Sequence, residues 1–163
     1  MADNDLFNNS PDKFNGNFSQ FLLEQYKIYV EMADRNIERR NKTSTFFLTA
    51  NSFLLSALGI FSEFGVNSQP NILWLYVASA GGVAFAITWF FVSRSYRQLS
   101  SAKFHIINEL EKELPASPFT KEWEDLDYGK NWKKYTKLTR IEICVPSTFV
   151  GLYIALGIVS YLF

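Results

Sequence analysis

The sequence predicts an all-α integral membrane protein: three transmembrane helices per protomer, long helices extending into a cytoplasmic helical stalk, and a homo-oligomeric assembly. Three observations predict it. All sixteen Lys and Arg residues fall in two blocks, residues 1–42 and 93–140. Residues 43–62, 72–92 and 143–163 lie outside those blocks and are apolar runs of about 20 residues, enough for a helix to cross a hydrocarbon core of about 30 Å. Within two of these runs small residues recur every four positions, the spacing that lets helices approach closely in lipid. The formal net charge is zero, so no global field points to nucleic acid, and the segregation of the charges carries the information instead.

Residues 1–17 (MADNDLFNNSPDKFNGN) are rich in Asn and Asp, lack an apolar period and read as a flexible tail. They do not have the basic-then-apolar pattern of a cleaved signal peptide, so the first span must direct insertion. Residues 18–42 are amphipathic, with Phe18, Phe21, Leu22, Gln25, Ile28, Tyr29, Met32 and Asn36 at three- and four-residue steps. Nothing breaks a helix before residue 62, so a cytoplasmic helix runs directly into the first span (43–62). The connection 63–71 is short and without a base, and is expected outside. The second span (72–92) continues beyond the membrane as SRSYRQLSSAKFHIINELEKEL, where Tyr96, Leu99, Ala102 or Lys103, Ile106, Leu110 and Leu114 make an apolar stripe up to Pro115. Two helices leaving one membrane face with apolar stripes should pair there as an antiparallel stalk.

The rest of the cytoplasmic region, 93–142, holds a turn around Pro115 and Pro118 and a short helix capped near Thr120 that carries Trp123 and Leu126. Trp132, Tyr135 and Leu138 interleave with Lys133, Lys134 and Lys137 just before the third span (143–163). Beside so many carboxylates, that pattern fits an interfacial anchor better than a nucleic-acid patch. Arg39, Arg40 and Lys42 before the first span, Arg94 and Arg97 after the second, and Lys133, Lys134, Lys137 and Arg140 before the third give the positive-inside pattern. The amino terminus is therefore expected in the cytoplasm and the carboxyl terminus outside. The bases Arg39, Arg40, Lys42, Arg94, Arg97, Lys133 and Lys134 set topology and can meet lipid headgroups.

The run YVASAGGVAFA (76–86) places Ala78, Gly82 and Ala86 four apart, and the third span repeats the device with Ser147, Gly151 and Ala155. These six are the candidate residues for helix packing or oligomerisation. Satisfaction within one protomer is the competing reading, but three single helices make a thin monomer, which favours a homo-oligomer. Thr45, Thr49, Ser52 and Ser56 give the first span a hydroxylated face, either for interhelical hydrogen bonds or for a pore.

Candidate chemistry is sparse. The sequence shows no phosphate loop, no metal-ligand cluster and no nucleophile set, so neither a cofactor nor catalysis is expected. His105 reads as a packing or surface residue. Cys144 reads as a small buried hydrophobe. Glu109, Glu111 and Glu113 read as a solvated face. No carboxylate or base lies mid-span, apart from Glu63 and Glu142 at the edges, which disfavours proton-coupled transport.

YKIYVEMADRNIERRNKTSTFFLTANSFLLSALG and SYRQLSSAKFHIINELEKELPASPFTKEWEDL together resemble the RipA family of octameric membrane proteins. The tyrosines of Tyr26 to Asp34, the Arg39–Arg40 pair, Phe46–Phe47–Leu48, Asn51–Ser52 and the Arg94 to Lys103 exit carry the likeness. The resemblance implies a homo-octamer of the bacterial inner membrane, a link to intracellular proliferation, and no established enzymatic activity. The arginine pair and FFLTANS also resemble, less closely, SLATT-type membrane effectors. The expected function is thus that of a non-enzymatic oligomeric scaffold or sensor, with a channel or pore-forming effector as the alternative. The expected partners are further copies of the chain and membrane lipids; no nucleic acid is expected, and no protein partner is named. A lipid-binding role would rest on Trp132, Lys133 and Lys134.

Overall fold

The computed structural model describes residues 6–9, 11–14, 16–63, 72–131, 134–135 and 138–162, with side chains given at all of these except 61–63, 72, 138–141 and 160–162. Four α-helices form: α1 (Phe18–Glu63), α2 (Ile72–Glu111), α3 (Pro118–Asp125) and α4 (Leu138–Leu162). Short 3₁₀ turns cover Pro11–Phe14 and Asp127–Gly129. Among the described residues there is no strand. Three helical stretches, Phe18–Ile60, Leu73–Glu111 and Glu142–Val159, are long and apolar enough to cross a membrane. The chain divides into two compact units: Met1–Ile37 with Gln98–Thr136, and Glu38–Arg97 with Lys137–Phe163.

The first unit, the more polar one because it carries most of the charged residues, pairs the start of α1 with the end of α2 and adds α3. Asn17 opens α1, its carbonyl accepting from the Gln20 and Phe21 amides. Before it, Phe14 packs on Phe18 and Phe21 with ring centroids 5.5 and 5.8 Å apart, an apolar clamp across the helix entry. The seam uses one line of α1, with Leu22, Ala33 and Asn36 buried, against Ile107, Leu110 and Glu111 of α2. Asn36 Nδ2 donates to Ser100 Oγ at 2.8 Å, and Lys103 lies over the Tyr29 ring. The apolar residues named for the stalk therefore divide into two lines. Phe21, Ile28 and Met32 stay exposed on α1, as does Leu99 on α2.

The second unit is a three-helix bundle built from the end of α1, the start of α2 and α4. Its core is Phe47, Leu58, Ala86, Trp89, Phe149 and Tyr153. The Phe47 and Trp89 rings stack with their planes 5° apart, and Trp89 also meets Phe149. In lipid such contacts gain little from the hydrophobic effect, because an exposed ring is already in an apolar medium; shape and close approach decide the packing. Pro146 lies inside α4 and is fully buried. The Ser147 and Thr148 hydroxyls donate to the carbonyls of Ile143 and Cys144, one turn back on their own helix, while the carbonyl that the proline leaves without an amide donor is that of Glu142. Of the segments expected as a flexible tail (1–17) and an outer loop (63–71), residues 1–5, 10, 15 and 64–71 lie outside the described residues.

Candidate functional site

The polar unit is organised around one carboxylate. Glu111, the last residue of α2, has no exposed surface. Its Oε1 accepts from the Tyr26 hydroxyl of α1 at 3.1 Å and the Phe119 amide of α3 at 3.0 Å. Oε2 accepts from the Thr120 amide at 3.0 Å and the Thr120 hydroxyl at 2.9 Å. The Ser117 hydroxyl donates to the Glu111 carbonyl. The two amides are among the first-turn donors of α3, which lack partners within that helix, and Ser117 at its N-cap makes no side-chain cap bond. Glu111 therefore performs the capping from a distance, as an anion at the positive end of the helix. Pro118 opens α3, where a missing amide hydrogen costs nothing.

The arrangement corrects the reading of Glu109, Glu111 and Glu113 as one solvated face. Glu113 is exposed, and Glu109 is held by Lys112 at 2.7 Å; that hydrogen bond keeps the Glu109 carboxyl below its ordinary range. Glu111 sits instead on the buried line with Ile107 and Leu110. Burial, then the hydrogen bond and the charge of Glu111, push the Tyr26 hydroxyl up to about 12. Tyr26, Lys27, Val30, Glu31, Asp34 and Phe119 line an open groove of about 290 Å³ beside this hub. Asp127, Tyr128 and Gly129, with φ of 52°, 51° and 65°, turn the chain after α3 through the left-handed region. That backbone is costly for Tyr128.

In the membrane unit the two small-residue stripes have different surroundings. Gly82 and Ala86 are buried and Ala78 is half-buried. A Cβ at Gly82 would overlap the Tyr153 ring of α4. The Tyr153 hydroxyl donates to the Asn51 carbonyl of α1 at 3.3 Å, so one tyrosine crosses α2 at a glycine and reaches α1. Ser147, Gly151 and Ala155 are exposed on α4, and nothing stands within 4 Å of a Cβ at Gly151. The hydroxyl face of α1 is exposed at Thr45, Thr49, Ser52 and Ser56, with the Ser56 hydroxyl donating to the Ser52 carbonyl of its own helix.

The basic residues divide as well. Arg40 is largely buried and pairs with Glu142 of α4 at 3.3 Å, and Lys42 pairs with Glu38 at 2.7 Å. Arg39, Arg94, Arg97 and Lys134 are exposed. Lys133 and Trp132 lie outside the described residues. Cys144 is exposed rather than buried, and His105 is exposed. Among the described residues no three His, Cys, Asp or Glu side chains come together as a metal site. Sequence reasoning missed Glu111 and Tyr153. A glutamate one step from a buried leucine, just ahead of a proline-marked helix start, was the available signal for the first. The second was a large aromatic on the span opposite a small-residue stripe.

No curated protein and no solved structure matches the chain. The model of the octameric membrane protein family (8xMP) matches residues 23–163. That match agrees with the RipA resemblance and gives no support to the SLATT likeness. Three membrane-length helices and a family match over most of its length place this chain in the octameric membrane protein family.

Proposed function

We propose that the protein is a non-enzymatic scaffold or sensor of the bacterial inner membrane, with the polar unit in the cytoplasm presenting a docking platform repeated around the octamer. The observation that carries this reading is the Glu111 hub, which ties α1, α2 and α3 together beside the groove at Tyr26, Val30, Glu31, Asp34 and Phe119. A buried carboxylate with four donors holds its elements in one arrangement, because any rearrangement strands a charge in a poorly solvated place. That rigidity suits a recognition surface. The positive-inside pattern supports an inward amino terminus and an outward carboxyl terminus. The exposed stripe of Ser147, Gly151 and Ala155 serves as the contact between protomers, while Ala78, Gly82 and Ala86 pack helices within one. Arg39, Arg94, Arg97 and Lys134, exposed at the membrane's cytoplasmic edge, bind anionic headgroups. A link to intracellular proliferation rests on the RipA resemblance.

The test is a photocrosslinking amino acid in place of Glu31, introduced into the octamer in living cells. A discrete adduct with another protein, lost in Glu111→Gln while the octamer mass is unchanged, supports the platform. Absence of any adduct at Glu31, Asp34 and Val30 under all growth conditions removes it.

A pore is the second reading. It is favoured by the four hydroxyl residues Thr45, Thr49, Ser52 and Ser56 all standing on an open face of α1. Flux through proteoliposomes that disappears in Ser52→Leu with Ser56→Leu, the octamer intact, would replace the scaffold with a channel.

A further inference from the structure

Four buried side-chain atoms among the described residues find no hydrogen-bond partner in the protein: Arg40 Nε, Asn51 Oδ1, Ser79 Oγ and Trp89 Nε1. All four belong to the membrane unit. Asn51 is fully buried, Trp89 and Ser79 nearly so. The membrane unit is where an unmet polar group costs most, because lipid has nothing to offer it. The four atoms are also shut inside the protomer, so a neighbouring copy of the chain does not reach them. The usual escape for a hydroxyl or amide in a transmembrane helix is its own helix's carbonyl four residues back. Asn51 takes that route with only half its amide, Nδ2 donating to the Phe47 carbonyl at 2.8 Å. This aims Oδ1 away from the α1 backbone.

Their positions form a series. Arg40 is at the start of the unit's share of α1, and Asn51 lies 11 residues on, a rise of about 16 Å. On α2, which runs the other way, Trp89 stacks on Phe47 one turn below Asn51, and Ser79 is ten residues further toward the opposite face, about 15 Å. Tyr153 stands in the middle, its hydroxyl on the Asn51 carbonyl. Gly157 of α4 faces Ser79, and a Cβ there would sit 3.9 Å from the Ser79 Cβ, an ordinary contact distance, so α4 comes close to the orphaned hydroxyl with a residue that has no side chain of its own. Trp89 offers a donor, Asn51 an acceptor and Ser79 either, the mixed set that small buried polar sites need to hold water.

We propose that each protomer holds ordered water along the seam of α1, α2 and α4, bridging Trp89 Nε1 and Asn51 Oδ1 and solvating Ser79 Oγ. The hydrated element of the membrane unit is then this internal seam, independent of the outward hydroxyl face of α1 and of the platform reading. Water there turns three unmet groups into an interhelical bridge, and fixes α2 against α1 where apolar contacts alone discriminate weakly.

The test uses the full chain in lipid bilayers with ¹⁵N-labelled indoles and proton-detected solid-state NMR, Trp89 being assigned by its loss in Trp89→Phe. The expected result is magnetisation transfer from water to the Trp89 Nε1 proton, abolished in Asn51→Leu. A Trp89 indole without that transfer, while partly exposed Trp123 shows it, overturns the proposal. Ser79→Ala serves where Asn51→Leu does not fold. A bridged hydroxyl lowers the melting temperature on removal, whereas a dry orphaned one raises it, and a rise sinks the Ser79 part of the site. Octamer mass is read in parallel and does not enter either outcome.

Discussion

Glu111 and Tyr26 illustrate how one buried charge governs a local fold. The Glu111 carboxylate receives every donor in reach, so replacing one oxygen by an amide nitrogen sets two donors face to face. Glu111→Gln is expected to cost about 1–3 kcal/mol, read as loss of hydrogen-exchange protection at the Phe119 and Thr120 amides with the membrane helices unaffected. Tyr26→Phe removes one donor and should cost about 1 kcal/mol. The sign of the pH effect follows from the raised phenol. A tyrosine with a higher pKa when folded stabilises the protein while both states keep the proton, below about pH 10. That stabilisation is lost as pH climbs from 10 toward about 12. Alkaline melting curves of the wild type should therefore fall across that window, and those of Tyr26→Phe should lose this component.

At the scale of elements, the periodicity of the stalk was readable and its facing was not. Phe21, Ile28 and Met32 satisfy a helical stripe as well as Leu22, Ala33 and Asn36 do, and only pairing with α2 selects the second line. The same ambiguity holds for the two small-residue stripes, identical in spacing. Tyr153 over Gly82 separates them. Gly82→Leu is expected to disrupt α2 against α4, since overpacking a tight contact costs about 1–3 kcal/mol or more, and to lower the melting temperature of the protomer even where assembly survives. Nothing stands within 4 Å of a Cβ at Gly151, so Gly151→Leu should not lower the protomer's thermal stability. If the α4 stripe joins protomers, Gly151→Leu shifts the native mass from octamer to smaller species; an unshifted mass assigns the contact elsewhere.

For the whole molecule, the family is octameric, and eight copies closed into a ring would need two different surfaces on each protomer. The exposed α4 stripe and the exposed Phe21, Ile28 and Met32 line are two of the faces open on the protomer. Orientation has a direct measurement. The exposed Cys144 stands near the start of α4, and a cysteine introduced after Phe163 marks the other end of the chain. With the proposed topology a membrane-impermeant thiol reagent applied to intact cells labels the second, in a Cys144→Ser background, and a cysteine replacing Asn9 is labelled only after lysis. The opposite pattern reverses the orientation and removes the cytoplasmic platform with it.

What the sequence by itself determined is what depends on composition over a whole segment. Span number, helix type and membrane location follow from runs of about 20 apolar residues and from where the bases stop, since the bilayer acts on each helix separately. The paired stalk also followed from two stripes on one membrane face. Only the tertiary structure decided which member of each pattern faces inward. Glu111 rather than Glu109 or Glu113 meets the start of α3, Gly82 rather than Gly151 receives an aromatic ring, and Arg40 rather than Arg39 finds a carboxylate. Neighbours such as Arg39 and Arg40 differ by a rotation of about 100° about the helix axis, and Glu109 and Glu113 from Glu111 by about 200°, differences that composition does not register and only contact with a second helix resolves.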